Sequence, residues 1–154
     1  VNQLDKEISS RYRIQYSTEI NDWMGFRTRV EIRHFEHKPE QLTIGYLYYN
    51  DLYFNALKDK LTLKIRYALF DAPDYDARIY AYEHDLLYQF NVPAYYLTGS
   101  RVYGVIRYKI YDGLTLNFKV AQTFLADRDF FGSGKDEIQS RSRTELKSQL
   151  IWKF

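Results

Sequence analysis

The stretch RVYGVIRYKIYDGLTLNFKVAQTF, residues 101–124, decides the fold. Val102, Gly104, Ile106, Tyr108 and Ile110 fall on one parity, with Arg101, Tyr103, Arg107 and Lys109 on the other. Beyond Asp112-Gly113, the residues Leu114, Leu116, Phe118, Val120 and Phe124 repeat the stripe opposite Thr115, Asn117 and Lys119. Alternation with period two marks extended strands, because successive side chains of a strand point to opposite faces. An Asp-Gly pair between two such runs predicts a hairpin closed by a type I′ turn, whose two central residues both need positive φ.

Outward from this hairpin the same pattern recurs. Tyr12, Ile14 and Tyr16 oppose Arg11, Arg13 and Gln15, and Phe26, Thr28, Val30 and Ile32 oppose Arg27, Arg29, Glu31 and Arg33. Leu42, Ile44, Tyr46 and Tyr48 form a stripe that trails toward Phe54, and Leu61, Leu63, Ile65, Tyr67 and Leu69 oppose Thr62, Lys64 and Arg66. The last run sets Leu146, Leu150, Trp152 and Phe154 against Arg141, Arg143, Glu145, Lys147, Gln149 and Lys153. Residues 77–90 alternate less cleanly, with Tyr80, Tyr82, Leu86, Tyr88 and Phe90 on one parity, and are expected to be an eighth strand. Eight strands in simple succession predict an all-β, antiparallel, up-and-down barrel: one domain over residues 1–154, or a segment of a larger barrel.

Composition narrows the classes. The 154 residues carry 22 Lys and Arg against 20 Asp and Glu, too balanced for a nucleic-acid partner. Sixteen Tyr, ten Phe and two Trp are an unusual load of rings, and the absence of Cys excludes disulfides and thiolate chemistry. No apolar run reaches the roughly 20 residues of a membrane helix. Any export leader is expected to have been removed or to lie outside this sequence.

Alternation alone fits two placements: apolar side chains inside a soluble, lipocalin-like barrel binding an apolar ligand, or outside against lipid. Three features favour lipid and a transmembrane barrel. The runs are about 10–14 residues, enough to cross a bilayer at a tilt. Aromatics gather near run ends, as Tyr46, Tyr48 and Tyr49, Tyr108 and Tyr111, and Trp152 do, matching interfacial girdles. The last strand ends on Phe154.

That ending, ELKSQLIWKF, resembles the C-terminal strand of bacterial outer-membrane barrels. There a terminal aromatic and alternate apolar residues are the signal read by the barrel-assembly machinery; the matching positions are Leu146, Leu150, Trp152 and Phe154, with Ser148 interrupting the series. Residues 66–114 look like the C-terminal barrel region of large outer-membrane proteins of the Bacteroidetes group, some described with an upstream helix-hairpin-helix domain. The resemblance implies the bacterial outer membrane as location, membrane lipid and the assembly machinery as partners, and room for another membrane chain.

With apolar stripes outward, fifteen cations and five acids share the inner face, an excess of ten positive charges. Arg27, Arg29, Arg66, Arg107, Arg141 and Arg143 are the expected lumen-facing cationic wall of a porin-like or structural element that favours anions. Desolvating so many unpaired ions costs several kcal/mol each, so the lumen is expected to be wet, or supplied with acids by a plug or further strands. An even strand count puts both chain ends on the periplasmic side. Residues 91–99 and 125–139 then become outer loops, with 38–40, 71–76 and 112–113 as periplasmic turns.

Catalytic patterns are wanting. His34 and His37, three apart in an extended run, face opposite ways and cannot share a metal. His84 between Glu83 and Asp85 would face away from both on a strand, no Ser lies within two residues of a His, and GSGKDE at 132–137 lacks phosphate-loop spacing. The expectation is a non-enzyme without cofactor or metal.

Overall fold

The computed structural model describes residues 8–36, 42–132 and 134–154. Its seven long strands are β1 (Ile8–Asn21), β2 (Met24–Glu36), β3 (Leu42–Ala56), β4 (Leu61–Ala72), β7 (Leu97–Tyr111), β8 (Leu114–Leu125) and β9 (Ser142–Trp152). The two-residue strands β5 (Ile79–Tyr80) and β6 (Ala94–Tyr95) pair with each other as a separate ribbon. The long strands form one antiparallel up-and-down sheet in the order β1-β2-β3-β4-β7-β8-β9. The sheet is open. β1 and β9 are its two edges and, after six antiparallel pairings, run in the same direction.

The expected eighth strand is a correction. Residues 73–96 leave β4 and fold back across one face of the sheet before β7 begins. Ile79, Ala81 and Tyr95 of this segment pack with Leu47, Tyr49, Ala68, Phe70, Leu97 and Leu125 into the largest buried apolar cluster. The chain also approaches β3 closely: a Cβ on Gly45 would lie 2.2 Å from the Ala77 carbonyl oxygen. Glycine is therefore what lets the segment lie down on the sheet.

Losing one strand reorders the connections. The short turns at 22–23, 57–60 and 112–113 share one end with the close of β9, where the Lys153 N–H donates to the Gly113 carbonyl at 2.8 Å. The connections 73–96 and 126–141 share the other end. Residues 71–76 and 91–99 thus belong to one connection at one end, not to opposite ends, and the start of β1 lies opposite the close of β9. The turn expected at 38–40 and His37 lie outside the described residues.

The hairpin at 112–113 forms with a different turn. Only Gly113 has positive φ, at 98°, and a register shift between Lys109 and Tyr111 absorbs the extra residue. A bulge thus replaces the second positive φ of a type I′ turn.

The faces divide as the parity predicts. The face under residues 73–96, the covered face, carries Arg29, Glu31, Tyr49, Asp51, Arg66, Tyr103 and Lys119. The open face carries Ile14, Val30, Leu69, Val102, Ile106, Leu116 and Val120, all exposed at 41% or more of their surface.

Candidate functional site

The site is the polar wall on the covered face together with the segment lying on it. Cross-strand pairing builds it in rows, since directly opposed residues on one face have neighbouring side chains. One row runs Arg27, Asp51, Arg66, Tyr103, Ala121, Glu145 across six strands. Asp51 therefore has an arginine on either side. Arg66 grips it with two bonds, Nε to Oδ1 at 2.6 Å and Nη2 to Oδ2 at 2.8 Å. Its third nitrogen donates to the Tyr82 carbonyl at 2.6 Å, and its guanidinium carbon lies 3.7 Å from the Tyr49 ring centroid. Both members of this pair are 1% exposed. A planar, five-donor guanidinium suits this forked and stacked geometry better than lysine would.

The covering segment supplies the remaining acids. Glu83 accepts from Arg101 Nε at 2.7 Å, Arg101 Nη2 at 3.1 Å, the Tyr95 hydroxyl at 2.6 Å and Asn91 at 3.2 Å, with Lys119 at 3.5 Å. Arg101 also donates to Thr123 and to Glu145 of β9. Asp85 accepts from Lys119 at 3.0 Å and Lys147 at 2.8 Å. Burial alone would raise the Asp85 carboxyl; bonds from Lys147, the Leu86 N–H and Lys119 hold it below the ordinary carboxylate range. Glu83 and Asp85, two of the five acids set against the fifteen cations, thus reach the wall from this segment rather than from a strand of the sheet.

His84 belongs to the same site, and its place depends on the segment not being a strand. Its Nδ1 lies 3.5 Å from the Lys64 ammonium and its Nε2 lies 3.3 Å from the Tyr53 hydroxyl. Burial, with the charge of Lys64 adding, pushes its pKa down to about 4, so the ring is neutral at pH 7.

The six wall arginines meet different fates. Arg66 is dry and paired. Arg29 lies over the Tyr49 ring and 3.6 Å from Glu31, donating to Gln15; Arg27 lies over Tyr53 and donates to Ser17. Arg143 pairs with Glu145 at 2.9 Å and lies over Phe131. Arg107 sits on the covered face with its Nε buried and without a partner. Arg141 differs from expectation: β9 begins only at Ser142, and Arg141 is an exposed loop residue paired with Asp129. Leu146, Leu150 and Trp152 stand exposed on the open face of the edge strand, and Phe154 follows the strand, fully exposed.

Sequence reasoning placed Arg101 and Lys119 on the inner face without seeing that they anchor the segment above them. The blurred alternation of residues 77–90 was the available signal. Among the described residues no three His, Asp or Glu side chains could share a metal ion. No family model matches the chain, and no curated protein or solved structure matches it significantly.

Proposed function

We propose that this chain is a structural segment of a bacterial outer-membrane β-barrel, its open face against lipid and its covered face turned to a lumen that residues 73–96 largely fill. One observation carries the proposal. The sheet buries Glu31, Asp51, Arg66 and Lys119 to 1% exposure or less and leaves Ile106, Leu116, Val120 and Leu146 more than 40% exposed. In water that inversion gives up roughly 25 cal/mol for every Å² of apolar surface left wet; acyl chains remove the penalty.

Depth along the strands supports it. The open-face row Phe26, Leu52, Ile65, Gly104, Val120, Leu146 is apolar from β2 to β9 and ends on Thr18 at β1, while the next row toward the long connections carries Thr28, Asn50, Gln122 and Thr144. Toward the short turns stand Trp23, Tyr108, Tyr111 and Trp152; toward the long connections stand Tyr46, Tyr48 and Phe124. Apolar rows with aromatic residues toward both strand ends match an outer-membrane barrel wall. Short turns at the end where β9 closes, and long connections at the other, match the periplasmic and outer sides of such barrels. The lipocalin-like alternative needs the opposite faces.

The segment over the covered face, whose Glu83 and Asp85 tie down Arg101, Lys119 and Lys147, makes a scaffold the better reading than an open porin. Because β1 and β9 run in parallel, an all-antiparallel barrel built on this sheet requires an odd number of strands added across its edges. The test is behaviour during refolding. The chain should be monodisperse and β-rich in detergent micelles and aggregate on detergent removal; a stable monomer in plain buffer would refute the proposal.

A further inference from the structure

At the short-turn end of the covered face a recess of about 370 Å³ opens between β3, β4, β7 and β8, roofed by Asp85 and Leu87. Its floor is set by register. Arg107 lies directly opposite Thr62 on one side and Asn117 on the other, and Lys64 lies one step along β4 on the same face. All four line the recess.

The cations here differ from the three that anchor the deepest ion pairs of the wall. Arg66, Arg101 and Lys119 each hold a carboxylate at 3.0 Å or closer. Arg107 holds none among the described residues, and its buried Nε–H donates to no protein atom. A buried donor without an acceptor is costly, and more so when it is charged.

Lys64 is equally uncommitted, and the hydrogen-bond order shows why. The Tyr53 hydroxyl donates to Asp51 at 3.0 Å, so its oxygen accepts from His84 Nε2. The Nδ1 lone pair of His84 then accepts one ammonium hydrogen of Lys64. Two ammonium hydrogens remain, with no carboxylate partner among the described residues. Asp85, the acid in the roof, is already shared by Lys119 and Lys147. The Asn117 amide gives one hydrogen to Gln149 and keeps the other.

We infer that this recess binds a small phosphate-type dianion, with Arg107 and Lys64 as its charged ligands and Thr62 and Asn117 as neutral donors. Two unmatched cations on neighbouring strands balance a dianion, and the guanidinium fork suits paired phosphate oxygens. A monoanionic carboxylate would leave one of the two charges uncompensated. The site stands on the covered face alone, so its failure would leave the lipid placement of the open face untouched.

The test uses the full chain refolded in micelles, labelled with ¹⁵N-arginine and titrated with inorganic phosphate. The Arg107 Nε–H resonance, identified by its absence in Arg107→Lys, should shift to saturation. Lys64→Gln and Arg107→Gln should each weaken apparent affinity about tenfold or more, the scale of one lost charge-assisted hydrogen bond. Arg107→Lys should recover part of that loss, and Arg143→Gln, outside the recess, should change it less than about twofold. An unresponsive Nε–H in the unsubstituted chain would overturn the assignment whatever the affinities of the variants. Equal weakening by Arg143→Gln would overturn it in favour of diffuse attraction, and acetate acting as strongly as phosphate would overturn the dianion class.

Discussion

Lys119 and Lys147 stand directly opposite each other across β8 and β9, and Asp85 accepts a hydrogen bond from both. Like charges in a cross-strand pair repel. The carboxylate between them converts that repulsion into the anchor that holds residues 73–96 on the sheet near its β9 edge. The pairing of β8 with β9 and the docking of the segment are therefore coupled.

Replacing Asp85 with Asn removes the charge and keeps the shape. Lys147 then loses its carboxylate, and buried Lys119 keeps only Glu83 at 3.5 Å. The variant should lose about 2 kcal/mol, below the usual figure for breaking a fully buried pair because Lys147 can turn outward. Urea unfolding of refolded protein in micelles measures the loss. Lys147→Gln should cost less, since it also relieves the lysine pair.

His84 sets a pH dependence of known sign. Its folded pKa of about 4 lies below its ordinary value of 6.5, so the unfolded chain takes up the proton first. Stability should be full above pH 6.5 and fall as pH drops toward 4. Asp85 acts on the same side but lower, its contribution fading only below the ordinary carboxylate range. His84→Gln should flatten the slope between pH 6.5 and 4 while leaving the decline at lower pH. Equal slopes in both proteins would contradict the buried neutral imidazole.

The strands were legible because one period governs them. Between 101 and 124 every apolar residue of the stripe faces one way and every basic residue the other, so local order alone sets the hairpin and its faces. Residues 77–90 carry a similar parity in Tyr80, Tyr82, Leu86, Tyr88 and Phe90, yet Tyr88 sits at a φ of 64° and only Ile79–Tyr80 of the run is strand. What bends it is distant: Glu83 answers Arg101 on β7, and Asp85 answers Lys119 on β8 and Lys147 on β9. No local pattern encodes partners 18 to 62 residues away. The Arg141 placement failed for a smaller reason, the parity of β9 having been carried one step past the point where pairing begins.

The turn between β3 and β4 holds removable strain. Leu57, Lys58 and Asp59 all adopt positive φ, at 55°, 53° and 63°, where a side chain costs about 1–2 kcal/mol per residue. Lys58 is exposed, so Lys58→Gly removes the steric cost without opening a cavity. Greater freedom of the unfolded chain offsets part of the gain. A net stabilisation of about 0.5–1 kcal/mol should appear as a higher urea midpoint with an unchanged slope.

The outward placement of the apolar face is tested most directly by lipid contact. Single cysteines at Ile106, Leu116 and Arg29, each carrying an environment-sensitive fluorophore, would be reconstituted with lipids brominated along the acyl chain. Strong quenching at 106 and 116 and little at 29 is the predicted result. Quenching at 29 with none at 106 and 116, or a chain that stays monomeric in water and ignores the vesicles, would contradict it.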